Sequence, residues 1–229
     1  MFQVKDPRLR TVEEVVSANT GMTAESLLCD RKDYRLDGLD TAAAMLKEAV
    51  RKGKIIYIAG DYDVDGISAT AILALALKAN MVLRLPRRFT EGYGLKREMV
   101  DRFKDGQFLI TVDNGISALE AVTRAREKGM EVIVTDHHLP VVDEETGEVL
   151  YPQANLIIDP NAVPSSADFV GYCGAGIAFK LAVELLGTGH SLIPRLLSFA
   201  AIATVADSVP LIGENRRIVK EGLKVMVSY

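Results

Sequence analysis

Between residues 54 and 160, five short apolar runs, KIIYIAG, MVLRLP, FLITVD, EVIVTD and NLIIDP, alternate with longer stretches of helical pattern. The first helical stretches are Ile67 to Ala79, Leu95 to Lys104 and Ile116 to Lys128. Strands apolar at nearly every position need cover on both faces, and helix-length connections let neighbouring strands pair in parallel. The alternation therefore predicts an α/β fold, a mostly parallel sheet with helices on both faces. A chain of 229 residues that is 48% hydrophobic and 25% charged has core enough for one generous domain or two small ones, and is neither disordered nor fibrous.

The helix after FLITVD is the best marked. Ser117 and Glu120 form a capping-box pattern, Leu119, Ala121, Val122 and Ala125 an apolar face, and Gly129 follows the last turn. Residues 1–52 read as an N-terminal helical lead-in, and 53–229 as the main domain. After the loop NAVPSS, helices are expected over Ala175 to Leu186, Leu192 to Ala206 and Asn215 to Val227, the last with Val219, Leu223, Met226 and Val227 on one face. It stops without a C-cap, so a longer protein is expected. DEETGE at 143–148 reads as a solvated acidic turn.

The first residues carry acids where a secretory signal needs an apolar core. The most apolar runs, Ile67 to Leu77 and Leu196 to Ala206, fall short of the roughly 20 residues of a membrane span and are expected as buried helices. Cys29 and Cys173 make neither a disulfide framework nor a paired-cysteine zinc site, and are expected as buried thiols in a reducing cytoplasm. Lys and Arg total 27 against 31 acids, a net charge of −4, so any polyanion must be held locally.

In open parallel sheets ligands gather beyond the carboxyl ends of the strands, where this sequence places its unusual residues. Asp61, Asp63 and Asp65 follow the first strand in GDYDVDG, Asp113-Asn114-Gly115 follows the third, Asp136-His137-His138 the fourth, and Asp207 ends the apolar helix AAIATVAD. Each Asp alone is more often a turn or cap residue, and His190, in GTGHS, reads as a loop residue. An EF-hand is rejected because Ile72 stands where its bidentate Glu belongs. Convergence raises the set above these plainer readings. So many carboxylates at one sheet edge repel unless cations neutralise them. Oxygen-rich ligation with imidazole and no thiolate suits Mn²⁺ or Mg²⁺. Two such ions about 4 Å apart lower the pKa of a shared water and hold a phosphoryl oxygen, which implies phosphoester or phosphoanhydride hydrolysis.

Two motifs suggest substrate handling. LPRRFTEGYGL sets Arg87 and Arg88 beside Gly92, Tyr93 and Gly94, which can make a phosphate clamp with a base-stacking aromatic; a charged loop with a partly buried Tyr has an equal claim. YCGAGIAFKLA opens a helix with Gly171, Gly174 and Gly176, whose N–H groups could receive phosphate or whose missing side chains could simply allow close packing. No Walker lysine accompanies it.

GDYDVDG, TVDNGIS, VTDHH and GAGIAFKLA with TVADSVPL, in this order and spacing, resemble the DHH phosphoesterase superfamily, and most closely its RecJ branch of single-strand-specific DNA exonucleases. The resemblance runs from about residue 54 to 225. It implies that Asp63, Asp65, Asp113, His137 and Asp207 bind two ions, Mn²⁺ or Mg²⁺, with Asp113 bridging, and that His138 faces the scissile phosphate while Asp136 orients a histidine. It extends less firmly to Arg88 and the GYG segment, as a grip on the DNA backbone. Many superfamily members have a histidine where this chain has Ala59, which would weaken one metal site or leave it to Asp61 or water. The superfamily's C-terminal substrate-binding domain and the oligonucleotide-binding fold of RecJ-type enzymes have no counterpart in these residues, so residues 1–229 alone are expected to be a poor nuclease.

The resemblance thus implies a 5′-3′ exonuclease domain acting on single-stranded DNA in repair and recombination, monomeric, with a single-strand-binding protein as an expected partner. The competing readings are a DHH phosphoesterase of short oligoribonucleotides, cyclic dinucleotides or pyrophosphate, and an inactive DHH scaffold in a replication assembly.

Overall fold

The computed structural model describes residues 8, 9, 11–28, 34–163 and 167–227. The five expected strands, β1 (Ile56–Ala59), β2 (Met81–Arg84), β3 (Phe108–Val112), β4 (Glu131–Thr135) and β7 (Leu156–Ile158), form one sheet of order β2-β1-β3-β4-β7, parallel throughout. A two-residue pair, β5 (Val141–Val142) with β6 (Val149–Leu150), forms a separate antiparallel hairpin that the sequence did not signal. DEETGE is its exposed turn, closed by Asp143 accepting from the Glu145 and Thr146 N–H groups.

Alternation along each strand divides the core in two. Ile56, Ile58, Phe108, Ile110, Val112 and Ile133 point to one face, under α3 (Leu39–Arg51), α4 (Val64–Ala76), α7 (Gly174–Leu186), α8 (Ile193–Ala206) and α9 (Gly213–Val227). Tyr57, Ala59, Leu109, Val132 and Val134 point to the other, under α5 (Arg97–Val100) and α6 (Leu119–Glu127). These strands are apolar on both sides because both sides are covered. Ahead of the sheet lie α1 (Val12–Thr20) and α2 (Ala24–Leu28). From the lead-in, Ala42, Ala43, Leu46 and Ala49 of α3 enter the same core as α4 and α7. Among the described residues no helix is long and apolar enough to cross a membrane.

Four local expectations are corrected. The capping box at Ser117 does not form: Ala118 is the N-cap of α6 without a side-chain cap, and Glu120 pairs with Arg97 instead, at 3.0 Å. The helix expected over Leu95 to Lys104 shrinks to the single turn α5. Phe103 leaves it to stack on Tyr57, ring centroids 4.2 Å apart, and Tyr57 Oη takes the Lys104 N–H at 3.1 Å. α9 buries Asn215, Ile218, Val219 and Gly222, leaving Leu223 and Val227 exposed, because the face that meets α8 is turned from the one read off the sequence. The apolar runs of α4 and α8 are also not wholly buried, since Ile67, Leu75, Ile202 and Val205 each remain more than a third exposed. Cys173 is buried, whereas Cys29 lies outside the described residues.

Candidate metal centre

The carboxyl ends of β1, β3 and β4 and the C-terminus of α8 open onto one region. β3 delivers Asp113 in the left-handed conformation, φ 60°, which short polar residues tolerate better than most. β4 delivers Asp136, His137 and His138. Asp207 is the C-cap residue of α8. Their meeting point is His137 Nε2, which lies 3.1 Å from Asp113 Oδ1, 3.6 Å from Asp65 Oδ2 and 3.9 Å from Asp207 Oδ2. Two sets of donor atoms, Asp65 with His137 and Asp207, and Asp113 with His137 and His138, each lie within 4.8 Å of one another.

Burial raises the Asp113 carboxyl well above the ordinary range, and the nearby charges of Asp65, Asp63 and Asp136 raise it further. Asp207 is raised by burial and then by Asp65, with His137 opposing. No lysine or arginine among the described residues pairs with Asp65, Asp113 or Asp207. A divalent cation relieves this repulsion without asking the carboxylates to protonate, and the oxygen-rich set with imidazole fits Mn²⁺ or Mg²⁺.

Asp65 is held in place by another helix. Its two oxygens accept the N–H groups of Gly174 at 2.6 Å and Ala175 at 2.8 Å, so it caps the start of α7. Of the two readings of Gly174 and Gly176, phosphate binding and close packing, the contacts at this helix start bear on the second. The Gly174 and Ala175 N–H groups are occupied by a carboxylate of the protein itself. Gly174 is glycine because a Cβ there would lie 2.4 Å from the Asp113 Cβ, and Gly176 packs against Tyr172.

Asp136 orients its neighbours. Its Oδ1 accepts from the His137 N–H at 2.8 Å and bonds His138 Nδ1 at 2.7 Å, while Oδ2 accepts the Ile116 N–H at 2.9 Å. Burial opposes its charge, but these bonds and the His138 imidazole outweigh burial and hold the carboxyl below its usual range. The same bond is the largest cause holding His138 above the ordinary imidazole value.

The other sequence-expected residues sit around this centre. Asp63 caps α4, accepting the Gly66 N–H at 2.9 Å, and stands exposed at the rim outside both donor sets. Asp61 is buried, kept above its ordinary value chiefly by that burial, and accepts the Gly94 N–H at 3.3 Å, so it ties down the GYG loop. Tyr93 turns its hydroxyl inward, 3.2 Å from His138 Nδ1 and 3.3 Å from the Asp113 carbonyl, with its ring edge-on to His138. Gly92 lies in the left-handed region at the loop tip, and Arg88 is exposed, its guanidinium 5.3 Å over the Tyr62 ring. Ala59 is buried in β1, where its carbonyl accepts from Asn114 Nδ2 at 3.0 Å.

Sequence reasoning named Asn114 without giving it a role, and missed two further residues that brace this edge, Asp159 and Asn161. Asn114 also accepts the Leu95 N–H at 3.2 Å, joining the ends of β1 and β3 to the GYG loop. Asp159 and Asn161 follow β7, the one strand end whose carboxylate drew no notice although it repeats the pattern of the others.

The model of the DHH family, N-terminal domain, matches residues 55–204. The chain belongs to the DHH family. The chain is 38% identical over 207 residues to the single-stranded-DNA-specific exonuclease RecJ of Salmonella typhimurium, covering 82% of this chain and 35% of that one, so it spans about a third of that relative's length. It resembles the crystal structure of an exonuclease RecJ bound to manganese, with 38% identity and a TM-score of 0.71 over 86% of this chain and 49% of the other. It also resembles the RecJ of Thermus thermophilus in complex with Mg²⁺, with 31% identity and a TM-score of 0.59 over 93% and 27%.

Proposed function

We propose that this DHH domain is the catalytic part of a RecJ-like, metal-dependent exonuclease that hydrolyses phosphodiesters of single-stranded DNA from the 5′ end. The observation that carries this reading is the gathering of Asp65, Asp113 and Asp207 around His137, carboxylates that no lysine or arginine of the described residues neutralises. The relatives named for single-stranded DNA supply the substrate.

Asp63, Asp65, Asp113, His137 and Asp207 are assigned to hold two ions, with Asp61 the further donor nearest Ala59. Bound Mn²⁺ or Mg²⁺ would supply an acidified water and positive charge for the phosphoryl oxygens. The chain's own contribution is to hold and orient. Gly174 and Ala175 fix both oxygens of Asp65, and Asp136 fixes the His138 ring through Nδ1 and stabilises its imidazolium. His138 is then a donor to a phosphoryl oxygen as negative charge develops there. Arg88 and the Tyr93 loop would grip the DNA backbone at the open rim. We further place the protein in cytoplasmic DNA repair and recombination, as a monomer working beside a single-strand-binding protein.

The test is nucleotide release from 5′-labelled single-stranded DNA in Mn²⁺ by the natural protein that carries this sequence. Asp113→Ala should lower the rate about a thousandfold or more, the equivalent of several kcal/mol of charge stabilisation. No release by the wild type, or a preference for dinucleotides over long strands, would overturn the assignment.

A further inference from the structure

The sheet ladder ends one residue before the histidine on which the metal centre converges. The Asp136 N–H still donates to the Ile158 carbonyl, at 3.1 Å, but beyond it no strand bond holds the chain. A ligand carried on unsupported backbone would wander, yet both polar groups of the His137 backbone are engaged by side chains. Its N–H donates to Asp136 Oδ1 at 2.8 Å, and its carbonyl accepts from Asn161 Nδ2 at 2.5 Å.

The Asn161 amide is itself set by a turn. Asp159 Oδ1 accepts the Asn161 N–H at 2.8 Å, and the Asp159 carbonyl accepts the Ala162 N–H at 3.1 Å. This is an Asx-type turn across Pro160, hung on the last strand of the sheet. Asp159 is 3% exposed and its Oδ2 has no hydrogen-bond partner. A carboxyl buried so incompletely satisfied is costly, and no ion pair with a lysine or arginine of the described residues offsets it. What the group secures is the turn, and through the turn the position of the amide under His137.

We propose that Asn161 is a positioning residue of the metal centre: set by the Asp159 turn, its side-chain amide clamps the His137 backbone and so aims the imidazole at the ion. This rests on the reading of Asp65, Asp113, His137 and Asp207 as metal ligands. It adds to that set a residue that touches neither ion nor substrate, in the way that hydrogen-bonded neighbours orient metal-binding histidines elsewhere.

Calorimetric titration of the metal-free protein with Mn²⁺ tests it, on the wild type, Asn161→Ala, His137→Ala and the double variant. Asn161→Ala should weaken Mn²⁺ binding about 10- to 100-fold, the range found for such partners, while its metal-free melting temperature stays close to the wild type's. In the His137→Ala background the same change should leave Mn²⁺ affinity unaltered, because the two residues act through one contact. Asn161→Asp, the same size but without the N–H donors, should behave like Asn161→Ala and is read in its place should the alanine variant not fold. Wild-type affinity in the Asn161 variants, or an equal loss with and without His137, would overturn the inference alone. A wild-type protein that takes up no Mn²⁺ would overturn the metal reading and this inference with it.

Discussion

Asp113 combines three demands: a left-handed backbone, near-complete burial, and a Cβ pressed to where the Cβ of residue 174 would be. Gly174→Ala should therefore force the end of β3 and the start of α7 apart. Urea unfolding should show a loss of about 1–3 kcal/mol, as for other overpacked sites, together with weaker Mn²⁺ binding; an alanine variant of wild-type stability and affinity would refute the close approach. Asp159 offers a second test through pH. Burial pushes its carboxyl from an ordinary 3.8 up to about 7. Between these values the folded chain keeps a proton that the unfolded chain has lost. The contribution of this group to stability is thus fully present below about pH 4 and is lost as the pH climbs through 7, with a slope of about 1.4 kcal/mol per pH unit. Asp159→Asn retains the acceptor for Asn161 and cannot ionise. Measured in chelator, its stability relative to wild type should improve steadily from pH 4 to 7, and a difference independent of pH would show that Asp159 is not held protonated. At this scale the sequence was informative about which residues matter and poor on what each one does. Asp61 and Asp65 both stood out as strand-end carboxylates, yet one ties down a loop and the other caps a distant helix.

Elements were legible where their signals were local. The parallel strands and the principal helices follow from apolar runs and their spacing, and the element order matches that alternation. The signals that failed were those with a competitor elsewhere in the fold. Ser117 and Glu120 have the spacing of a capping box, but Arg97 claims Glu120 from another helix. The glycines opening α7 have the texture of an anion cradle, and the anion turns out to be Asp65, 109 positions earlier in the chain. α9 shows the same limit, because its periodicity permits two neighbouring faces and only the contact with α8 selects one. At that crossing Gly222 lets the helices meet closely, since a Cβ there would lie 2.4 Å from the Ala201 Cβ and 3.0 Å from the Leu197 carbonyl oxygen. Gly222→Ala gains helix propensity of about 1 kcal/mol but overpacks the crossing. A net drop in the thermal midpoint is expected, and a rise would mean that the helices can separate without cost.

For the whole molecule the formal charge of −4 is mostly a matter of one place. Asp61, Asp63, Asp65, Asp113, Asp136 and Asp207 are six of the 31 acids, and the remainder of the chain is slightly basic. Two divalent ions would bring the net charge to zero, and because they would bind only the folded arrangement they should stabilise it. Mn²⁺ at a hundred times its dissociation constant should add about 2.7 kcal/mol per site, read as a rise of several degrees in the melting temperature that chelator reverses; an unchanged melting temperature would count against a metal centre. The α/β architecture and the edge of the sheet where chemistry would gather can be read from the chain alone, because strand patterning and the residues at strand ends are local properties. Which carboxylates share the His137 imidazole, which one caps α7 and which amide bonds the His137 carbonyl emerge with the folded arrangement. Those assignments depend on distances between residues far apart in the chain, and the pattern within any one segment does not contain them.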